Sequence, residues 1–336
     1  MAVEKNGVTA VESDGAISRK SVKKLHFGVS WEEKEDAVME ITRIAAEGGH
    51  LWRKALADLG VIPCLVSMLD SDDQRRRRLI FRALVELTNG TYSNKILMME
   101  AGVLVKLKTT NKDESKTPDE FLHLLLSISS LDITTNLSSG EILLPFLSDL
   151  LTSTTTTTDV KLISLIALCN LSTKLRYIKP IVSNGLIPVL LNLLLCDKLS
   201  ALSKRALSVL GNIVVTETGR RAITASPIVP ECFVKIMRWE DQFSCQEIAA
   251  FILIFLGQKS LDQRTKMAAS GVVPALMEVT LLGSELAKRR ALKLLEWFRD
   301  NRVGRDKRRE HDFKDMVKLS LHKNMEIIQS RGKYRT

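Results

Sequence analysis

Apolar residues recur along this chain in short bursts at the i, i+3, i+4 spacing of helices, and no stretch shows the strict alternation of a half-buried strand. Ala37, Val38, Ile41, Ile44 and Ala45 share one helical face behind Ser30-Trp31-Glu32-Glu33, whose serine and second glutamate have the spacing of a capping box. Further on, one phrase returns again and again: a small or acidic residue, Gly, two apolar residues, Pro, then an apolar helix. It reads DLGVIPCLVSML from Asp58, EAGVLVKL from Glu100, SGEILLPFLSDLL from Ser139, SNGLIPVLLNLL from Ser183, SPIVPECFVKIM from Ser226 and ASGVVPALMEV from Ala269. The proline slot falls at Pro63, Val105, Pro145, Pro188, Pro230 and Pro274, with gaps of 42, 40, 43, 42 and 44 residues. Spacing that even marks a repeat.

The phrase has a local physical meaning. A glycine after a short helix takes the left-handed conformation that ends it. A proline a few residues later sits in the first turn of the next helix, where its missing N–H costs nothing. A second phrase, about 20 residues on, marks a third helix: FRALVELT from Phe81, IALCNLST from Ile166, RALSVLGNIV from Arg205, IAAFILIFLG from Ile248 and RALKLLEWF from Arg290. Three helices in about 42 residues is the armadillo unit, whereas HEAT repeats have two helices and lack the Gly-x-x-Pro corner. The expectation is an all-α, right-handed armadillo-repeat solenoid. Six repeats fall near 48–90, 91–131, 132–172, 173–215, 216–257 and 258–299, behind a partial repeat from Ser30 that closes the N-terminal end. Two longer loops are expected, Thr109 to Lys116 ahead of a second capping box at Thr117, and Leu151 to Asp159 with its run of threonines at 154–158. Residues 1–29 read as a disordered tail and 300–336 as a basic tail, in which Phe313, Met316, Val317, Leu321 and Ile328 could form one more amphipathic helix.

SWEEKEDAVMEITRIAAEG from Ser30, KRALSVLGNIVVTETGRRAI from Lys204 and AKRRALKLLEWFRDNR from Ala287 resemble the armadillo region of plant U-box/armadillo ubiquitin ligases. The resemblance implies a protein-docking array and a link to ubiquitin signalling. Ligase activity is not carried over, since about 30 polar residues precede the first armadillo helix and no U-box pattern is found in the sequence. Importin-like arrays place a Trp and an Asn one turn apart on the third helix. Here Asn170 and Asn212 hold the Asn slot, but Ile166 and Ser208 precede them, so reading of nuclear-import cargo is not expected.

Charge refines this picture. The net charge is +10, but +6 of it belongs to residues 299–336 and +2 to residues 1–30, which leaves a nearly neutral body. A protein gripping a phosphate backbone along its folded surface concentrates charge there, so nucleic acid or an anionic membrane is expected at most through the tail. RDNRVGRDKRRE from Arg299 reads as a nuclear-localisation signal, an anionic-surface contact or a solubilising tail, and Ser18 and Ser21 lie among basic residues as a kinase would require. No apolar run approaches the roughly 20 residues of a bilayer span, and the N-terminus has no signal-peptide core, so a cytoplasmic or nuclear location is expected.

The chemistry of catalysis is missing from the pattern. The five histidines are scattered, the five cysteines (Cys64, Cys169, Cys196, Cys232, Cys245) form no C-x-x-C pair, and no phosphate loop or nucleophile elbow occurs. No cofactor, metal or small-molecule substrate is expected, and the chain reads as a non-catalytic scaffold for other proteins. Its groove residues would lie on the third helices: Arg78, Arg82 and Glu86 in the first repeat, Asn170, Arg205, Ser208 and Asn212 in the middle, and Arg289 in the last. Asn170 and Asn212 would bind the backbone of an extended or helical partner segment. The arginines would favour acidic or phosphorylated residues, which guanidinium groups hold through paired hydrogen bonds.

Overall fold

The computed structural model describes residues 17–71, 73–110, 119–130, 138–196, 201–239 and 242–299. Among them there is no strand. Helix α1 covers 17–27 and α2 Trp31–Glu47. Triplets follow at the predicted period: α3 Gly49–Asp58, α4 Val61–Ser67 and α5 Gln74–Thr88, then α6 Tyr92–Glu100, α7 Val103–Thr110 and α8 Asp119–Ser129. Helices α9 Ser138–Thr152 and α10 Thr158–Ser172 belong to the third repeat. The last three repeats are α11 Leu175–Ser183, α12 Leu186–Cys196 and α13 Ala201–Ile213; α14 Glu217–Thr224, α15 Glu231–Met237 and α16 Phe243–Gly257; α17 Leu261–Ala269, α18 Val272–Leu282 and α19 Glu285–Arg299. This is the all-α armadillo architecture.

The corners behave as the repeated phrase dictates. Gly60 and Gly271 stand immediately before α4 and α18 with φ of 75°, a region that a side chain penalises. Pro63, Pro188 and Pro274 are each the third residue of a second helix, among the first four N–H groups that have no partner within the helix. The paired first and second helices are bent by 85° at α11–α12 and 78° at α17–α18. Ser30 caps α2 as expected: its hydroxyl accepts from the Glu33 amide at 3.3 Å, while Glu33 accepts from the Val29 amide at 3.1 Å.

By their contacts the chain divides into two units, Met1–Phe146 with Thr154–Ile163, and Leu147–Ser153 with Ser164–Thr336. In the first, the third helices stack in order, α2 on α5 and α5 on α8, and α3 packs on α6. Phe121 of α8 meets Phe81 edge-on at 5.9 Å and Phe146 at 5.8 Å, so one aromatic line runs through three successive repeats. Such pairs add about 0.5–1.5 kcal/mol each beyond area burial. In the second unit α13 packs on α16, α16 on α19, α11 on α14, and α15 on α18. Helix α16, covered on both sides, buries eleven of its fifteen residues.

Four expectations need correction. The expected disorder of residues 1–29 does not extend through 17–27, which form α1. Ser18, Ser21, Val22 and Leu25 make a single buried face, His26 Nε2 lies 3.2 Å from the Leu59 carbonyl, and the Cys64 thiol points at the Leu25 carbonyl at 3.8 Å. Two serines on that face dilute its apolar signal. Ser18 and Ser21 are only 3% and 7% exposed, which removes them as ready kinase targets. In the third repeat the predicted corner is absent, since Gly140 and Pro145 both lie inside α9. The threonine loop shortens to 153–157, between α9 and α10. Residues 111–118, the second capping box at Thr117, and the tail with its candidate helix lie outside the described residues.

Candidate protein-binding surface

Stacking leaves each inner third helix only a narrow strip of solvent. On α5, Ile80, Phe81, Ala83, Leu84, Leu87 and Thr88 are buried, and Arg75, Arg78 and Arg82 are exposed in one row with Glu86 half-buried at its end. The row starts at the Asp73 cap, whose carboxylate accepts from the Arg75 amide at 2.8 Å. Adjacent residues on a helix diverge by about 100°, and the four arginines at 75–78 accordingly go separate ways. Arg75 reaches back to Glu35 of α2 at 3.1 Å. Arg76 lies over the Trp31 ring, 4.7 Å from its centre, and 3.2 Å from Asp73. Arg78 reaches forward to Glu120 of α8 at 3.8 Å. Arg82, four residues on, makes no ion pair among the described residues. Spacing alone pairs neither Glu35 nor Glu120 with this row, because only folding sets α2 and α8 on either side of α5.

In the second unit the predicted residues separate by burial. Arg205 and Ser208 are half-buried on α13, and the Ser208 hydroxyl donates to the Lys204 carbonyl at 3.0 Å. Arg289 is exposed on α19. Between them, α16 presents Glu247, which accepts from the Ser284 hydroxyl at 2.6 Å and through its carbonyl from Arg290 at 2.7 Å. Asn170 is half-buried, and its carbonyl accepts from the Thr173 hydroxyl at 2.7 Å.

Asn212 is a correction. It is 1% exposed, and its amide donates to the Ser172 hydroxyl at 2.9 Å. The bond ties α13 to α10, so this side chain holds the stack together and does not meet a partner's backbone.

Elsewhere, an open cleft of about 570 Å³ lies along α1 and α2, with Lys20, Lys24, Asp36, Glu40 and Arg43 on its walls. A second, of about 580 Å³, lies along α14 and α17, with Arg220, Arg221, Lys259 and Lys266 beside Glu217 and Asp262. Both mix the two signs of charge. Among the described residues no three His, Cys, Asp or Glu side chains are grouped to hold a metal. Burial pushes the thiols of Cys64 and Cys245 up, and that of Cys232 up to about 12. A nucleophilic cysteine needs the opposite shift. No single described helix is long and apolar enough to cross a membrane, though the α11–α12 and α17–α18 pairs reach that length together across their bends.

No family model matches the chain. The U-box domain-containing protein 45 of Arabidopsis thaliana is 24% identical over 273 residues, which cover 80% of this chain and 35% of that protein. The chain thus spans about a third of the length of this curated relative. Among solved structures, an engineered protein from a structural genomics consortium superposes with a TM-score of 0.68 at 25% identity, over 84% of this chain and 68% of its own. A computationally designed armadillo repeat protein for modular peptide recognition gives 0.47 at 17% identity, over 82% and 98%.

Proposed function

We propose that this armadillo array is a non-catalytic scaffold that takes an extended or helical segment of a partner protein against the exposed strip of its third helices. Acidic or phosphorylated residues of that segment meet Arg78 and Arg82. The observation that carries the reading is the row on α5: three exposed arginines at one-turn intervals, on a helix flanked by the stacked helices α2 and α8. Surface ion pairs such as Arg75–Glu35 and Arg78–Glu120 contribute only about 0–1 kcal/mol, so an incoming carboxylate or phosphate can replace Glu35 or Glu120 at little cost. Guanidinium can then bind it in the bidentate geometry that ammonium cannot provide. Arg205, Ser208, Arg289 and Asn170 would serve a second, weaker contact on the other unit, where Glu247 opposes acidic ligands.

The test is fluorescence anisotropy on the full chain with labelled acidic and phosphoserine peptides. Arg78→Glu with Arg82→Glu should weaken the tightest peptide by about ten-fold or more, since each lost charge-assisted contact is worth on the order of 1 kcal/mol. Equal affinity in parent and double variant overturns the reading.

A second reading is supported by the similarity to U-box domain-containing protein 45: the chain acts in the ubiquitin pathway as a partner or regulator of ligases. Ubiquitin enzymes among proteins crosslinked to the α5 row would favour it. The pure chain, given ubiquitin and its activating and conjugating enzymes, should form no product in either case. Both readings go with work in the cytoplasm or nucleus, which imaging of a tagged full chain would check.

A further inference from the structure

The three exposed arginines of α5 are not equally open. Arg75 is engaged: it donates to Glu35 at 3.1 Å, and Trp31 Nε1 donates to the other oxygen of that carboxylate at 3.0 Å. Held from two sides, and with its side chain only 18% exposed, Glu35 keeps Arg75. Arg78 is held loosely. The Glu120 carboxylate of α8 stands 3.8 Å away, beyond hydrogen-bond reach. Arg82 makes no ion pair or side-chain hydrogen bond among the described residues, although Glu86 follows one turn later. The open part of the row is therefore Arg78 and Arg82. Four residues apart on a helix, their Cβ atoms are about 5–6 Å from one another, so both guanidinium forks can reach one point in the solvent strip.

We infer, granting the docking proposed above, that this pair is a clamp for a phosphate group, and that the segment on α5 is recognised when phosphorylated rather than through aspartate or glutamate. A carboxylate offers two oxygens and one charge. One fork takes both oxygens, and Arg82 alone suffices for it. A phosphoserine offers three acceptor oxygens and roughly two negative charges at neutral pH, enough for both forks at once. Only the phosphate gains a second fork when Glu120 is displaced from Arg78, and so loose a pair at the surface is a weak competitor. Lysine in either position would supply the charge without the fork.

Anisotropy titrations of the full chain with two labelled peptides test this: the tightest-binding phosphoserine peptide, and a twin with aspartate in place of each phosphoserine. Near pH 7.5 the phosphoserine peptide should bind about ten-fold or more tightly than its twin, the effect of a second charge-assisted contact. Arg78→Lys should bring the two within about three-fold by weakening the phosphoserine peptide alone. Glu120→Gln should tighten that peptide alone. Near pH 5.5, below the second phosphate pKa of about 6, the phosphoserine peptide should lose affinity while its twin does not. Equal affinity of the twins in the parent overturns the clamp, as does a gap that survives Arg78→Lys. Either result leaves the docking itself standing so long as Arg78→Glu with Arg82→Glu still weakens both peptides. If neither peptide responds to that double variant, the docking and the clamp fall together.

Discussion

Asn212 and Asn170 show how one residue type in one repeated slot can take different work. The slot lies near the end of the third helix, where Asn170 is half-buried and Asn212 is buried against the neighbouring helix. Asn212 turned inward, and its amide bond to Ser172 is one that water would otherwise supply. Asn212→Ala should therefore cost about 1–3 kcal/mol in urea unfolding, the price of stranding a buried polar partner, and leave peptide affinity unchanged. Cys232 makes a second prediction at this scale. Burial raises its thiol to about 12 from an ordinary 9.0, so the folded protein keeps the proton that the unfolded chain releases. The stability it contributes is whole below pH 9 and declines as pH rises towards 12. Urea midpoints measured from pH 8.5 to 10.5 should fall less steeply in Cys232→Ala than in the parent.

Elements were legible in the sequence wherever a backbone requirement produced them. Gly60 is one case: its φ of 75° is a demand of the corner, and the nearest foreign atom to an added Cβ, on His26, would be 3.7 Å away. Gly60→Ala should accordingly lose only the conformational term, about 1–2 kcal/mol in thermal or urea unfolding. Pro63→Ala should change much less, because its N–H slot has no partner within the helix. The same phrase misled at Ser139-Gly140, since a glycine permits a corner without compelling one, and α9 continues through it. Helix α1 escaped notice for the converse reason. Its buried face is half serine, and its contacts with Leu59 and Cys64 lie more than 30 residues away in the chain. The arginine row was readable as a spacing, 78 to 82, but its neighbours Glu35 and Glu120 were not. They sit 43 and 42 residues from Arg78, and nothing short of the stacking order brings them to α5.

At the scale of the molecule, stability in a repeat array is a sum of units and of the joints between them, so it need not be uniform. Two helices per repeat can be compared directly in the second unit. Helix α16 buries eleven of fifteen residues between α13 and α19, including Phe251 and Phe255 with ring centres 4.7 Å apart. First helices α14 and α17 bury two residues each, Gly219 and Ile223 in one, Gln263 and Met267 in the other. Opening α14 or α17 exposes little apolar surface, whereas opening α16 separates two layers at once. Native-state hydrogen exchange should therefore order them. The amides of α14 and α17 should exchange through local openings that small amounts of urea barely affect. Those of α16 should be the slowest of the three, with a urea dependence approaching that of global unfolding. If α14 or α17 matched α16 in both rate and urea dependence, the repeats of this unit would open as one block, and neighbour-by-neighbour stacking would not be what sets its stability.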